Sequence, residues 1–286
     1  MRFKRGGFGL PFVCAPVKIF GIVNITEDSF SDGGRYLSPE AAIAQARKLA
    51  GEGADVIDLG AASSNPDSRP VEPKEEIARL APVIAALKGD GFAISIDTFA
   101  PEVQAWALAQ GADYLNDIQG FPDAEIYPAL SESPAKLIVM HSVQGRGPAT
   151  RIRVPPETLI DRILKFFDNR IAGLTQAGVD RSRLILDPGM GLFLGTDRDA
   201  SFTVLRGIPD LKRAFDLPVF ISVSRKSFLR LLTGRSPGQS GPASLAAELF
   251  AVLEGADCIR THEPGPLKDV LAVWRELSRE TVGNPR

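Results

Sequence analysis

Two spacings of apolar residues alternate along this chain. Short runs rich in Val, Ile and Leu predict strands at 18–25 (KIFGIVNI), 55–60 (DVIDLG), 93–98 (AISIDT), 114–118 (YLNDI), 136–141 (KLIVMH), 184–188 (LILDP), 218–224 (PVFISVS) and 258–262 (CIRTH). Between them lie longer stretches of helical spacing. In PKEEIARLAPVIAALKG, Ile77, Leu80, Ile84 and Leu87 fall three or four residues apart and make one buried stripe. Comparable stretches cover 39–51, 101–110, 156–177, 199–215, 243–255 and 266–280. Glycines at 53, 91, 111 and 178 mark the helix-to-strand joints, and the phrases EGADVIDLG, QGADYLNDI and EGADCIRTH use one such joint three times.

Strand–helix units repeated eight times predict a parallel α/β architecture, a (β/α)8 TIM barrel of one domain over 18–286 behind an N-terminal extension at 1–17. A doubly wound open sheet is the alternative. The chain carries no nucleotide-type glycine fingerprint, which favours the closed form.

Composition narrows the function. With 286 residues, 44% of them hydrophobic, the chain is long enough for a large core. A formal charge of −2 gives no electrostatic footprint for nucleic acid. The start, MRFKRGGFGLPFVCAPV, is basic and then apolar like a secretory signal. Pro11, Pro16 and glycines interrupt it, and Val13 is large for a cleavage site before Cys14. No run of 18 uncharged apolar residues suggests a membrane span. Cys14 and Cys258 match no metal or redox spacing, so the chain reads as a cytoplasmic protein.

In a barrel of this kind the loops after the strands share one face, so chemistry belongs at the strand C-terminal ends. These ends carry Asn24, Asp58, Asp97, Asn116 with Asp117, His141, Asp187, Ser224-Arg225-Lys226, and Arg260 with His262. One polar residue at a strand end is ordinarily a solvated exit. Here every strand has one. They divide into carboxylate and amide groups (Asp97, Asn116, Asp187) and a cationic cluster (Arg225, Lys226, Arg260, His262). Carboxylates accept paired N–H donors from a heterocycle, and guanidinium groups fork onto phosphate, so a substrate with two chemical ends is implied. The loop beginning NITEDSFSDGG is longer than an ordinary βα connection and is long enough to fold over a bound group.

At these residues the chain resembles the dihydropteroate synthases. The phrases GIVNITEDSFSDGG, SIDT, NDI, LDPGMG, SRKS and RTH occur in that family's order, one per strand end, over roughly 18–280. The resemblance implies condensation of a pterin-CH2-diphosphate with p-aminobenzoate, with release of diphosphate. It implies that Asp97, Asn116, Met140, Asp187 and Lys226 hold the pterin, and that Asn24, Arg260 and His262 hold the diphosphate, Asn24 also touching Mg2+. Ser63, Ser64, Phe193, Ser224 and Arg225 would surround the aminobenzoate. Asp97, Lys226 and Arg260 would be the catalytic set. A homodimer is what the family suggests.

Two stretches depart from the family pattern. GAASSNPD (60–67) stands where Gly-Glu-Ser-Thr-Arg-Pro-Gly is usual, so Asn65 replaces an arginine. DPGMGLFLG stands where Asp-Pro-Gly-x-Gly-Phe-Gly-Lys is usual, with the lysine absent and the apolar stretch bulkier. Both lie at the aminobenzoate end and resemble the sulfonamide-insensitive branch of the family. A large side chain, Phe193 or its neighbour Leu192, would clash with the extra volume of a sulfonamide and spare the flat natural substrate. The rivals are a pterin-dependent methyltransferase, which does not need the cations of SRKS and RTH, and a non-catalytic pterin-binding barrel, which would not keep the charged rim. A hydrolytic metal barrel fits less well, because the two histidines sit on different strands. His141 reads as a hydrogen-bonded strand-end residue, and GRGPATRIR (145–153) as a solvated loop.

Overall fold

The computed structural model describes residues 16–26 and 38–278. Most of the extension at 1–17, Cys14 and most of the loop after the first strand lie outside them. The eight predicted strands form as β1 (Lys18–Asn24), β2 (Val56–Gly60), β3 (Ile94–Asp97), β4 (Tyr114–Asp117), β5 (Lys136–Met140), β6 (Leu184–Asp187), β7 (Phe220–Ile221) and β8 (Cys258–Thr261). All pairings are parallel, in the order β6-β5-β4-β3-β2-β1-β8-β7. A bridge between Leu186 and Val219, with Leu186 N–H donating to Pro218 O at 2.8 Å, joins the two ends into a barrel.

The helices are α1 (Pro39–Gly51), α2 (Pro73–Gly89), α3 (Pro101–Ala109), α4 (Tyr127–Glu132), α5 (Leu159–Gln176), α6 (Arg198–Arg206), α7 (Ile208–Phe215), α8 (Ser227–Thr233), α9 (Gly241–Leu253) and α10 (Pro264–Ser278). Proline opens several of them at the first turn, where its missing N–H costs no hydrogen bond. The glycines marked as joints adopt positive φ, from 75° to 100°. Two expectations need correction, and one element was not foreseen. The stretch 199–215 is two helices, broken at Gly207 before Pro209. The seventh strand keeps two of its seven residues. The SRKS segment leads into α8, a short helix that its local pattern did not reveal.

Side chains alternate in and out along each strand, so the barrel interior is built in layers. The lowest layer is apolar: Phe20, Val56, Tyr114, Ile138, Ile185, Phe220 and Cys258 form one cluster. Phe20 meets Tyr114 and Phe220 edge to face, with centroids 5.1 and 5.0 Å away. Two residues higher, the same alternation brings in Asp58, Asn116, Asp187 and Arg260. The plug below therefore closes the barrel, and polar chemistry begins above it. The outward-facing residues join the helices in the large surrounding core.

Candidate active site

A cleft opens at the C-terminal mouth of the barrel. Its walls include Asn24, Ser63, Ser64, Asp97, Phe193, Ser224, Arg225, Lys226, Arg260 and His262, drawn from six different strand-to-helix connections or strand ends. Asn116, Met140 and Asp187 do not line it. They are buried at the ends of β4, β5 and β6, where Asn116 is in register with Asp97 and Met140 with Asp187. The expected pterin residues thus divide into a mouth set and a deeper set. Among the described residues, the buried Oδ1 of Asn116 has no hydrogen-bond partner. Its neighbour Asp117 does different work. That carboxylate accepts from Gln119 N, Phe121 N and Gln104 Nε2 and fixes the turn after β4.

Arg260 organises the centre. Its Nε donates to Asp58 Oδ2 at 2.6 Å and its Nη2 to Asp97 Oδ2 at 2.8 Å. Asp58 is fully buried. Loss of water pushes Asp97 up to about 7, against the pull of the Arg260 guanidinium. The same loss of solvation, followed by the Arg260 charge, brings Lys226 down to about 8, while Asp187 and Asp97 pull it back. Burial also raises Asp187 to about 6, opposed first by the Gly189 N–H and then by Lys226. The acids and cations of the mouth form one interacting set.

Lys226 Nζ stands 5.3 Å from the centre of the Phe193 ring. Phe193 packs with Ile118, Met140 and Ala149, with Phe99 and Leu192 alongside. Both Leu192 and Phe193 face the cleft. The glycines of DPGMG make this possible. At Gly189, φ is +77° and a Cβ would stand 2.4 Å from His141 O, so no other residue fits without moving the backbone. His141 is the structural residue expected. It is buried, and its Nδ1 lies 3.1 Å from Pro188 O, which requires the proton on Nδ1. Burial lowers this ring to about 4, so it stays neutral.

The family of pterin binding enzymes matches residues 20–262. Dihydropteroate synthase type-2 of Escherichia coli is 64% identical over 264 residues, which cover 92% of this chain and 97% of that protein. The chain belongs to the dihydropteroate synthases. Dihydropteroate synthase type-3 of Escherichia coli is 54% identical over 260 residues, covering 91% and 99%. Among solved structures, the Xanthomonas albilineans dihydropteroate synthase with 4-aminobenzoic acid matches with a TM-score of 0.83 at 34% identity, covering 94% of this chain and 95% of that one. The Yersinia pestis dihydropteroate synthase with a sulfonamide drug complex matches with a TM-score of 0.84 at 28% identity, covering 91% and 93%.

Several features of this synthase cleft escape sequence reading. Ser224 is buried, and its hydroxyl is 2.9 Å from His262 Nδ1 and 3.2 Å from His262 N. Ser227, Asn65, Met190 and Arg230 join the walls. Ser63 Oγ is engaged within its own loop, accepting from Asn65 N and Ser68 Oγ. The 145–153 segment is more than a solvated loop. Ala149 is buried on the cleft, its N–H donates to Ser64 O, Thr196 N–H donates to Ile152 O, and Arg151 pairs with Asp67. Tertiary pairing of this sort leaves no local spacing to read.

Proposed function

We propose that this synthase joins a dihydropterin methylene diphosphate to p-aminobenzoate with the residue roles that its cleft geometry supports. Asp187 and Asn116 accept and donate along the pterin edge, and Asp97 lies near the methylene. Lys226 stacks along the ring system. Arg260, His262 and Asn24 take the diphosphate. As the methylene C–O bond breaks, its electron pair leaves with the diphosphate oxygen, and the carbon gains positive character beside the Asp97 carboxylate. The aminobenzoate nitrogen attacks that carbon and then loses a proton to solvent. An aromatic amine is neutral near pH 7, so no strong base is required. The protein's work is positioning and charge compensation.

A Mg2+ ion suits the donors available. Asn24 Oδ1 and Asp97 Oδ2 both lie beside Gly60, 3.6 and 3.8 Å from where a Cβ would stand, and offer oxygen donors at the cleft. Among the described residues no group of three or more His, Cys, Asp or Glu could cage a metal. An ion held by one or two protein oxygens, with phosphate and water completing its shell, is what Mg2+ favours. Bound there, it would neutralise diphosphate charge and improve the leaving group.

The aminobenzoate end is bounded by Ser63, Ser64, Arg225, Phe193 and Leu192. Phe193 gives this wall a bulk that accommodates a flat carboxylate and opposes a tetrahedral sulfonamide bearing a second ring. We therefore read the enzyme as sulfonamide-insensitive, working in the cytoplasm. Among the described residues no helix is long and apolar enough to cross a membrane. The observation that carries the whole reading is the meeting of Asp97 and Lys226 with Arg260 and His262 in one cleft. The deciding experiment is steady-state dihydropteroate formation with Mg2+ under sulfonamide titration. Turnover that persists at high drug supports both parts. Turnover abolished at low drug removes the insensitivity, and pterin binding without turnover removes the catalytic roles.

A further inference from the structure

Ser224 sits where aminobenzoate contact was expected, yet its hydroxyl points at His262. The oxygen has one proton to give and two lone pairs. One lone pair accepts the backbone N–H of His262 at 3.2 Å. Among the described residues, its other polar neighbours are the ring nitrogen Nδ1 at 2.9 Å and Thr261 Oγ1 at 3.5 Å. Thr261 Oγ1 already accepts from Glu263 N at 3.2 Å. Were Nδ1 the donor, the buried Ser224 proton would be left with a distant hydroxyl as its partner. Were Nδ1 the acceptor, the Ser224 proton would meet a strong imidazole acceptor at close range, and Thr261 could supply the second lone-pair contact.

We infer that Ser224 is a positioning residue: its hydroxyl donates to His262 Nδ1 and fixes the proton on Nε2, so that the ring offers a neutral N–H donor to the leaving diphosphate. This rests on the diphosphate role given to His262 above. The surroundings agree. Burial, then the Arg225, Arg260 and Lys226 charges, hold His262 well below its ordinary range, so a second ring proton is disfavoured. A rim that already carries three cations gains little from a fourth. A fixed neutral donor adds direction without adding repulsion.

The chain contains two histidines, and on this inference they take opposite tautomers: Nδ1–H at His141, set by the Pro188 carbonyl, and Nε2–H at His262. Long-range 1H–15N spectra of untagged, 15N-histidine protein read both rings, with His262→Gln assigning the signals. The expected result is a protonated Nε2 and an acceptor-type Nδ1 at His262, and the reverse at His141. In Ser224→Ala, the His262 ring should shift to mixed tautomers. Its kcat should fall about tenfold, as the loss of one orienting hydrogen bond implies, with KM for aminobenzoate unchanged. A protonated Nδ1 at His262 in the parent protein overturns the inference. So does an unaltered ring in Ser224→Ala, or a rise confined to the aminobenzoate KM. If the protein makes no dihydropteroate, the diphosphate reading fails, while the ring signals still decide the tautomer.

Discussion

Replacing Arg260 by methionine separates what that residue does for the fold from what it does for the reaction. The Asp58 carboxylate has 0% exposure, its Oδ1 has no hydrogen-bond partner among the described residues, and its Oδ2 accepts from Arg260 Nε at 2.6 Å. Arg260→Met would leave that charge buried and alone. Breaking a buried pair in this way costs about 3–5 kcal/mol, against a total stability of about 5–15 kcal/mol for an ordinary domain. At about 2–4 °C per kcal/mol for chains of roughly this size, the melting temperature should fall by about 6–20 °C. Asp97 adds less, because it is half-buried and Lys226 also acts on it.

Asp58→Asn added to Arg260→Met removes the stranded charge and should restore most of the lost stability. Urea unfolding of the parent, both single variants and the double variant closes a cycle with a coupling energy of about 2–3 kcal/mol. Synthase activity should stay low in the double variant, because the diphosphate still lacks its guanidinium. A loss under about 1 kcal/mol in Arg260→Met, below the range for a buried pair, would refute the argument. So would a double variant no more stable than the single one.

Activity should peak between about pH 7 and 8. Asp97 must be ionised, so rate falls as pH drops through about 7, and Lys226 must be protonated, so rate falls as pH rises through about 8. A missing acid limb in kcat/KM would remove Asp97 from the reaction, a missing alkaline limb would remove Lys226, and a flat profile would remove both. Phe193→Gly should lower the sulfonamide inhibition constant at least about tenfold, which is about 1.4 kcal/mol, while KM for aminobenzoate changes less; unchanged inhibition would mean that the ring only packs against Met140 and Ile118. Gly189→Ala should destabilise by about 2–4 kcal/mol through its positive φ and its contact with His141 O, and a thermal melt within 2 °C or so of the parent would show that the turn yields easily.

The barrel was legible because each strand is a short apolar run that ends on a polar residue, and because glycine repeats at the joints. These are local signals. The deeper layer is not local: Asp58 and Arg260 are 202 positions apart, and nothing near either residue announces the pair. Ser224 shows the same limit. Its motif placed it at the cleft, while the direction of its hydroxyl depends on β8, which follows the helices after it. The run PVFISVS predicts a long seventh strand because Val219, Phe220, Ile221 and Val223 are apolar, but only Phe220 and Ile221 have ladder partners. The apolar spacing over 199–215 predicts one continuous helix because it bridges Gly207, where the backbone turns.

The short seventh strand also has a consequence for how this pocket can change. The wall bearing Phe193 follows β6, and the wall bearing Arg225 and Lys226 follows β7. Those two strands meet at Leu186 and Val219, with little regular ladder between them. The two lips of the proposed aminobenzoate pocket thus stand on either side of the seam with the least regular ladder. An added or enlarged side chain on one lip can be absorbed by a small parting there. The Arg260 centre, anchored in the continuous ladders of β8 with β1 and β2 with β3, stays in place. On the proposed roles, selectivity for the second substrate can drift while the grip on the first is conserved, because the two are mounted on parts of the sheet with different amounts of ladder.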